Sequence, residues 1–341
     1  MKKEENVIDI VIPWVDANDE EWNREKNRCL EQATEFQKNN NVESRYREGI
    51  NLKYWFRAIE NCMPWVRYIF FVSCGQVPSF LNLTNNKLKI INHSSFIPEE
   101  YLPTFNSNTI EMNLFRIDEL SENFILFNDD VFPIKKIKPE YFFYKNKVCD
   151  EAIERIFAPK INESIFDSYT YCQLNNMQII NKHFKKREVQ KSNFFKWFTL
   201  RYGKRVLNNL ALAYFYDFDR ISNKHLANAF KKSTFKEIWT MEYEVCNQAS
   251  MNKFRNYTDV SQYLVRWWQL CKGEFYPKRR LGKLFPITDD NYYKIADFIL
   301  RRKQQIVCVN DTKDIVNYSM AKEIIEDAFE KIFPVKSSFE K

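Results

Sequence analysis

The sequence predicts an α/β fold built on a mostly parallel sheet. Short apolar runs of strand length alternate with segments whose apolar residues recur at helical spacing, and this alternation is typical of parallel sheets with right-handed crossovers. Hydrophobic residues make up 45% of the chain, which is ample for a folded core. The length of 341 residues suggests two or three domains, or one large domain with an insertion.

The first part of the chain, residues 1–138, is predicted to form the α/β core. Strands are expected at residues 7–14, 68–73, 88–91 and 124–127, and helices at residues 20–38, 52–62 and 108–120. The last of these helices is predicted to begin with Asn108 as its N-cap and Glu111 completing a capping box. The run at 7–14 is apolar except for one acid, Asp9, which favours a buried strand.

Residues 139–300 are predicted to form a mainly helical insertion, and residues 301–341 to return to the core. The aromatic cluster at 141–144 suggests a hairpin, and residues 164–273 mostly have helical spacing. Two further capping boxes are expected, one from Thr234 with Glu237 and one from Asp259 with Gln262. A last strand is predicted at 305–309 and an amphipathic terminal helix at 319–333.

Composition excludes several classes of protein. With five glycines, the chain contains neither GxGxxG nor GxxxxGK[ST], so a bound nucleotide must be held without a glycine cradle. The net charge of +7 suits an anionic substrate or a membrane surface, and no concentrated basic stripe suggests a nucleic-acid partner. Eight cysteines without a CxxC pair indicate buried thiols in a reducing compartment. No signal peptide is recognised, so we expect a cytoplasmic protein.

Acidic residues follow three of the predicted strands. Asp16 and Asp19 follow the first, Asn128-Asp129-Asp130 follows the fourth, and Asn310-Asp311 follows the last. Ligands of open parallel sheets bind beyond the carboxyl ends of the strands, and clustered carboxylates favour a divalent cation such as Mg²⁺ or Mn²⁺. Asn and Asp are also ordinary turn residues. The pattern alone therefore leaves a metal–phosphate site and simple turns about equally favoured.

The remaining polar candidates have structural alternatives of their own. His93 is expected to be structural or solvent-facing, and a lone helix histidine such as His225 is more often structural than functional. Arg116 and Arg255 fit surface arginines with ion-pair partners. Asn106 and Ser107 precede a predicted helix, where they fit either anion binding or local capping.

Four blocks of sequence resemble the Stealth family of bacterial sugar-1-phosphate transferases, which is similar to the catalytic core of animal N-acetylglucosamine-1-phosphotransferase. The first block is Ile8-Asp9-Ile10-Val11-Ile12-Pro13-Trp14-Val15-Asp16-Ala17-Asn18-Asp19, the third lies around His225 to Trp267 with Phe254-Arg255, and the fourth is Cys308-Val309-Asn310-Asp311. The long second block runs from Arg45 to about Pro133 and includes Pro64-Trp65-Val66-Arg67, Leu102-Pro103-Thr104-Phe105-Asn106-Ser107, Ile110-Glu111 and Phe127-Asn128-Asp129-Asp130-Val131-Phe132. Ala17 departs from the family, which usually has glycine there, and a turn with positive φ would be strained at this residue.

The resemblance implies a Rossmann-like core of the glycosyltransferase-A type, a UDP-sugar donor and a glycan acceptor. It implies transfer of sugar-1-phosphate to a hydroxyl group, with UMP as the leaving group, in capsule or surface-polysaccharide synthesis. The implied catalytic residues are Asp129, Asp130, His225 and Arg255, and the implied metal ligands for Mg²⁺ or Mn²⁺ are Asp130 and Asp311. The implied donor-site residues are Asp16, Asp19, Arg45, Asn106, Ser107, Glu111 and Arg116. Either His225 or Asp129 could act as the general base.

Two other functions are compatible with the residues. A metal-dependent glycosyltransferase would use the same acids but release UDP, and a non-enzymatic binding protein would use its aromatic side chains, 16% of the chain, to stack on polysaccharide. The resemblance also implies a lipid-linked acceptor. Residues 193–206 combine Phe195, Trp197 and other aromatics with basic residues, which fits either an interfacial segment at the inner face of the membrane or a helix packed on the core.

Overall fold

The computed structural model describes residues 7–42, 46–47, 49–158, 167–312 and 315–341. Its strands, in chain order, are β1 (Ile8–Pro13), β2 (Ile69–Ser73), β3 (Leu88–Asn92), β4 (Asn123–Leu126), β5 (Val131–Pro133), β6 (Phe143–Tyr144), β7 (Lys147–Asp150), β8 (Glu154–Arg155), β9 (Arg220–Ile221), β10 (Asn228–Lys231), β11 (Phe275–Pro277), β12 (Lys283–Pro286) and β13 (Ile306–Asn310). The helices are α1 (Glu20–Glu31), α2 (Glu35–Asn40), α3 (Leu52–Cys62), α4 (Ser107–Asn113), α5 (Ser168–His183), α6 (Lys186–Ser192), α7 (Phe194–Trp197), α8 (Val206–Leu212), α9 (Lys232–Met241), α10 (Tyr243–Met251), α11 (Gln262–Cys271), α12 (Tyr292–Leu300) and α13 (Tyr318–Ile332).

A five-stranded sheet in the order β10-β4-β1-β2-β3 forms the centre of the molecule. The pairs β4-β1, β1-β2 and β2-β3 are parallel, and β10 joins the edge antiparallel to β4. The predicted α/β fold with a mostly parallel sheet is therefore confirmed. The pairing of β10 was not expected, because this strand lies inside the stretch predicted to be mainly helical.

The central strand β1 is buried along almost its whole length although it contains a carboxylate. Arg67 forms a bidentate ion pair with Asp9, at 2.8 Å from Nε and 2.5 Å from Nη2, and the backbone N–H of Ser121 donates to the same carboxylate at 2.8 Å. Because a buried charge is tolerated when it is paired and hydrogen-bonded, these contacts let an acid occupy the middle of an apolar strand.

A second sheet, in the order β12-β13-β5, places the last strand beside the acidic motif. The linker Asn128-Asp129-Asp130 joins β4 of the central sheet to β5 of the second sheet, and β13 runs antiparallel to β5. The backbone N–H of Val309 donates to the carbonyl of Asp130 at 2.8 Å, so the end of β13 lies against the linker. The late strand β13 lies between β5 and β12, outside the central sheet.

Several predicted helix boundaries are wrong in detail. The helix expected at 20–38 is two helices, because Thr34 starts α2 with its own capping box to Gln37. The helix expected at 108–120 ends at Asn113, and its N-cap is Asn106, whose side chain accepts from the N–H of Asn108. The predicted capping box at Thr234 is absent, since α9 already begins at Lys232.

The third predicted capping box is also wrong, because Ser261 caps α11 in place of Asp259. The aromatic cluster at 141–144 does lead into a hairpin, β6–β7, whose turn residues Lys145 and Asn146 have positive φ. One buried apolar cluster draws residues from all three predicted segments, 1–138, 139–300 and 301–341, whose boundaries stay predictions. Within the described ranges, no helix is both long and apolar enough to span a bilayer.

Candidate active site

Three cavities meet at the carboxyl edge of the central sheet. Their volumes are about 180, 310 and 350 Å³, and all three are lined by Asn128 and Arg255. The first, which we call the aromatic cavity, is also lined by Trp14, Trp22 and Phe105. The second, the α5 cavity, reaches Tyr169 and Tyr263, and the third, the acidic cavity, reaches Asp130 and Asp311. A substrate entering from any of these sides therefore meets the same central residues.

Asp130 is held by three neighbouring side chains. Its Oδ2 atom receives three contacts, from His225 Nε2 at 3.1 Å, Asn310 Nδ2 at 3.1 Å and Cys308 Sγ at 3.2 Å. Burial by itself would raise the pKa of Asp130, but the charge and hydrogen bond of His225, with the donors on β13, hold this pKa below its usual value. The carboxylate is thus kept ionised and fixed in orientation.

Two groups beside Asp130, His225 and Asp129, have raised pKa values. The negative charge of Asp130 is the main cause of the raised pKa of His225, against the opposing effect of burial. Enclosure by the protein and the nearby Asp130 raise the pKa of Asp129 to about 7, although its carboxylate is open to the cavities. Either group therefore has a pKa suited to accepting a proton from a substrate hydroxyl.

Arg255 is held in place by the start of α4. Its Nη2 atom donates to Ser107 Oγ at 2.9 Å, and Glu111 on the same helix lies within its electrostatic reach. Burial raises the pKa of Glu111 to about 7 in spite of the Arg255 charge. With a guanidinium group fixed at the junction of three cavities, the site presents the planar donor set that binds phosphate oxygens.

Asn106 and Asp259 position Arg255 indirectly. Asn106 is fully buried, and its Nδ2 atom donates to Asp259 Oδ2 at 2.9 Å. The same carboxylate accepts from Asn108, from Asn252 and from the backbone N–H of Asn256. Asp259 therefore holds the segment from Asn252 to Asn256, which contains Arg255, next to the start of α4.

Asp130 and Asp311 have the oxygen atoms that a hard cation requires. Both line the acidic cavity, and in the described part of the chain the Oδ1 atom of each is buried without a hydrogen-bond partner. The other oxygen of Asp311 accepts from Arg47 Nε at 2.7 Å, yet burial still raises the pKa of Asp311. Unpartnered buried carboxylate oxygens are costly unless a ligand satisfies them, so these residues fit Mg²⁺ or Mn²⁺.

The contacts of Asp130 also include a cysteine. One ligand atom from each of Asp130, His225 and Cys308 lies within 4.8 Å of the others. Zinc and similar ions bind cysteine as the thiolate. Burial, followed by the charge of Asp130, raises the pKa of Cys308 well above its usual value, and its Sγ lies 3.2 Å from the Asp130 carboxylate. The protonated thiol thus acts as a hydrogen-bond donor to the Asp130 carboxylate.

The structure brings together some of the residues implied by the resemblance and separates others. Asp129, Asp130, His225, Arg255, Ser107, Glu111 and Asp311 line the three cavities. Asp16, Asp19, Asn106 and Arg116 are absent from the described linings of these cavities. Arg45 lies outside the described residues.

The residues set back from the cavities act through neighbours. Asp19 caps α1 by accepting from the N–H of Trp22, which lines the aromatic cavity, and this bond lowers the pKa of Asp19. The Asp16 backbone exchanges two hydrogen bonds with the Gln76 side chain, at 2.8 and 3.0 Å. Arg116 lies 4.7 Å from the ring centroid of Trp239 instead of at the site.

The departure at Ala17 causes no strain. This residue is not among those with positive φ, and its carbonyl accepts from the Asn23 side chain at 2.6 Å. The turn after β1 is therefore built without the left-handed conformation that would require glycine.

Among the residues that the resemblance did not assign to the site, four lie in it or beside it. Asn128 and Arg47 line the cavities, Cys308 contacts Asp130, and His93 lines the aromatic cavity. Asn128 and Cys308 lie inside quoted blocks, and Arg47 lies two residues after Arg45, so proximity to a motif was the available signal. His93 had been expected to be structural or solvent-facing; it is 7% exposed.

Comparison with known proteins identifies the class of enzyme. Residues 45–151 match the model of Stealth protein CR2, conserved region 2, and residues 297–341 match that of Stealth protein CR4, conserved region 4. A capsular polysaccharide phosphotransferase of Streptococcus pneumoniae, WcwK, is 41% identical over 98% of both chains. An exopolysaccharide phosphotransferase of Lactiplantibacillus plantarum, cps2G, is 34% identical over 98% of this chain and 96% of its own.

The α/β fold, the cluster of charged groups and these relatives together define a phosphotransferase. The chain belongs to the Stealth family of bacterial polysaccharide phosphotransferases. The resemblance inferred from the four sequence blocks is thereby confirmed, and the alternative of a non-enzymatic binding protein is wrong.

Proposed function

We propose that this protein transfers a sugar-1-phosphate from a UDP-sugar to a hydroxyl group of a glycan acceptor and releases UMP, in the synthesis of a capsular or other surface polysaccharide. The observation that carries the proposal is the junction of three cavities at Asn128 and Arg255. A transferase needs separate space for its donor nucleoside, its donor sugar and its acceptor, all within reach of one reacting phosphorus. Relatives of this chain are named as phosphotransferases of such polysaccharides.

The aromatic cavity suits the donor nucleoside. Trp14, Trp22 and Phe105 supply ring faces, and Arg255 closes the side that faces the acids. Aromatic side chains can stack on a base, while the guanidinium group binds the oxygens of the adjoining diphosphate. This placement would bring the phosphorus next to the sugar close to Asp129 and Asp130.

Asp130 and Asp311 would hold Mg²⁺ or Mn²⁺, which when bound neutralises the charge of the diphosphate and of the departing UMP. Arg255 orients the phosphate oxygens. The acceptor hydroxyl oxygen forms a new bond to the sugar-linked phosphorus, and the bond from that phosphorus to the bridging oxygen breaks. The hydroxyl proton passes to His225 or to Asp129, the two groups whose raised pKa values suit the transfer.

The same acids would serve a glycosyltransferase that breaks the sugar–oxygen bond and releases UDP. The nucleotide product separates the two reactions. We expect incubation with a panel of UDP-sugars, simple glycosides as acceptors and Mg²⁺ to yield UMP and a phosphodiester-linked sugar, measured by chromatography and mass spectrometry. Formation of UDP, together with a product in which the sugar is joined to the acceptor without phosphate, would overturn the proposal. EDTA should stop the formation of UMP.

We also propose a lipid-linked acceptor and a place of action at the cytoplasmic face of the membrane. All eight cysteines are free and six are buried, which supports a reducing compartment. A glycan carried on a lipid would be presented at the bilayer surface. Extraction of the phosphodiester product into an organic phase, after reaction with a membrane fraction and labelled UDP-sugar, would support this acceptor, whereas a product confined to water would oppose it.

A further inference from the structure

An exposed apolar surface lies in the segment from residue 194 to residue 216, away from the sequence blocks that define the family. Eight of its large apolar side chains are more than half exposed. Phe195, Leu200, Tyr214 and Tyr216 are the most exposed, at 86, 87, 81 and 70%. Single exposed apolar residues are common, but a concentration of this kind marks an interaction site. We call it the 194–216 surface.

The 194–216 surface belongs to one packed unit formed by α6, α7 and α8. The Asn209 side chain on α8 donates to the carbonyl of Trp197 on α7 at 2.7 Å. Arg187 on α6 stacks on Tyr216 at 3.9 Å and donates to the carbonyl of Tyr214. These contacts hold α6, α7, α8 and the residues after α8 together as one unit.

The inner side of this unit is anchored in the protein. Trp197 is fully buried and stacks on Phe218 at 5.2 Å, and Tyr202 is 1% exposed. The interfacial reading of residues 193–206 is therefore wrong for Trp197, whereas Phe195 and Leu200 point outwards. One face of the segment is therefore packed on the core, and the other is exposed.

The segment from residue 194 to residue 216 is basic, with Lys196, Arg201, Lys204 and Arg205 and no acidic residue. Residues 185–217 contain eight basic and two acidic side chains, a net charge of +6 against +7 for the whole chain. Lys191, Arg201 and Lys204 are exposed beside the apolar residues. Exposed apolar side chains bordered by basic groups complement a surface with an apolar interior and anionic head groups.

We propose that the 194–216 surface docks the protein onto an anionic lipid bilayer. Phe195 and Leu200 would enter the interfacial region, while Lys191, Arg201 and Lys204 contact lipid phosphates. A symmetric pair of copies meeting through this surface would bring the exposed Lys191, Arg201 and Lys204 of both copies together, which disfavours a homodimer there. The charge complementarity thus selects a bilayer over a second copy.

The 194–216 surface is also connected to the active site. Arg205, the residue before α8, pairs with Glu151 and donates to Ser222 Oγ at 2.9 Å. Lys224 pairs with the same Glu151 at 2.9 Å and immediately precedes His225. If the proposed lipid-linked acceptor is correct, docking would hold the His225 side of the site at the membrane.

Vesicle flotation tests the proposal without donor or acceptor, so its outcome does not depend on the proposed reaction. The wild-type protein should float with vesicles of phosphatidylcholine and phosphatidylglycerol, and much less with phosphatidylcholine alone or at 0.5 M salt. The variant Phe195→Ser/Leu200→Ser should reduce the bound fraction at least tenfold, as should Lys191→Glu/Lys204→Glu.

The controls change other exposed residues, away from the 194–216 surface. Leu83 and Val335 are 56 and 73% exposed, and Lys294 is exposed. Leu83→Ser/Val335→Ser and Lys294→Glu should float like the wild type, and all variants should keep the wild-type circular dichroism spectrum. Failure of the wild type to bind anionic vesicles would overturn the proposal. So would equal flotation of Phe195→Ser/Leu200→Ser, or a dimer in light scattering that this variant dissociates.

Discussion

At the scale of single residues, Asp130 combines two environments in one carboxylate. Its Oδ2 atom accepts from His225, Asn310 and Cys308, while its Oδ1 atom has no partner among the described residues. The first set of contacts fixes the side chain, and the second leaves an oxygen for a cation. Removing the charge while keeping the shape should therefore affect chemistry more than folding.

We expect Asp130→Asn to lower kcat/KM by about 10²–10³-fold, equivalent to about 3–4 kcal/mol of transition-state stabilisation, as found when one electrostatic group is removed from a site. Initial rates of UMP release would measure this. Asp327→Asn is the matched control, because Asp327 is exposed and pairs only with Lys331 in the described contacts. Unchanged kinetics of Asp130→Asn would contradict the assigned role.

His93 should make the stability of the protein depend on pH. Burial lowers its pKa from 6.5 to about 4, and its Nε2 atom is buried without a partner in the described structure. The unfolded chain therefore binds a proton at higher pH than the folded protein. This contribution to stability is fully present above pH 6.5 and is lost as the pH falls towards 4.

Replacing His93 by a residue that does not titrate should remove that loss. Between pH 7 and pH 4, the unfolding free energy of wild type should fall by about 3 kcal/mol more than that of His93→Phe. Urea unfolding at a series of pH values would measure the difference. Parallel stability curves for the two proteins would show that His93 is not held neutral by the fold.

At the scale of elements, Arg57 on α3 binds the end of α13 and the segment that follows it. Its guanidinium group donates to Glu340 at 2.9 and 3.0 Å, to Glu330 at 3.0 Å and to the carbonyl of Phe333 at 3.0 Å. The side chains of Arg57 and Glu340 are each only 5% exposed. Arg57, which lies within the range of the second sequence block, therefore has a structural role, which is to hold the segment after α13.

We expect Arg57→Met to destabilise the protein by about 3–5 kcal/mol, because the Glu340 carboxylate would remain buried without its partner. Lys53→Met, on the same helix, should cost much less. Adding Glu340→Gln to Arg57→Met should restore part of the loss. Thermal or urea unfolding would measure all three, and a double variant no better than Arg57→Met would contradict the pairing.

Elements whose apolar pattern sets their position were predicted well, and those set by tertiary contacts were not. The pattern at 52–62 coincides with α3, and the strand predicted at 305–309 is β13 displaced by one residue. The start of α4 was misplaced because Asn106 and Asn108 have equivalent local signals, and both side chains donate to Asp259. The N-cap is Asn106, because its side chain accepts from the backbone N–H of Asn108. β10 was missed because its burial depends on pairing with β4.

At the scale of the whole molecule, two sheets assemble the site from distant parts of the chain. The β4–β5 linker brings Asp129 and Asp130 out of the central sheet, and β13 brings Asn310 and Asp311 back from 180 residues further along. Sequence blocks indicated that these residues belong together. The sequence blocks could not indicate that β5 and β13 are antiparallel, because this pairing arises only when the second sheet forms.

The assembled carboxylates predict that a divalent cation stabilises the whole fold. Asp129, Asp130 and Asp311 line one cavity, and the last two each have an unpartnered buried oxygen in the described structure. A cation that binds only the folded state, at a concentration one hundred times its Kd, adds about 2.7 kcal/mol to the free energy of unfolding. Mg²⁺ or Mn²⁺ should therefore raise Tm by several degrees, and EDTA should reverse the rise.

The two proposed ligands must act together if they hold one ion. Asp130→Asn and Asp311→Asn should each remove most of the increase in Tm, and the double variant should lose no more than the stronger single one, because the site is already broken. Asp297→Asn, at an exposed pair with Arg301 and Lys303, should keep the wild-type response. Scanning fluorimetry at constant ionic strength separates ion binding from general salt effects. Additive losses in the double variant would mean that Asp130 and Asp311 bind separate ions, so that β13 completes a different site from the one on the β4–β5 linker.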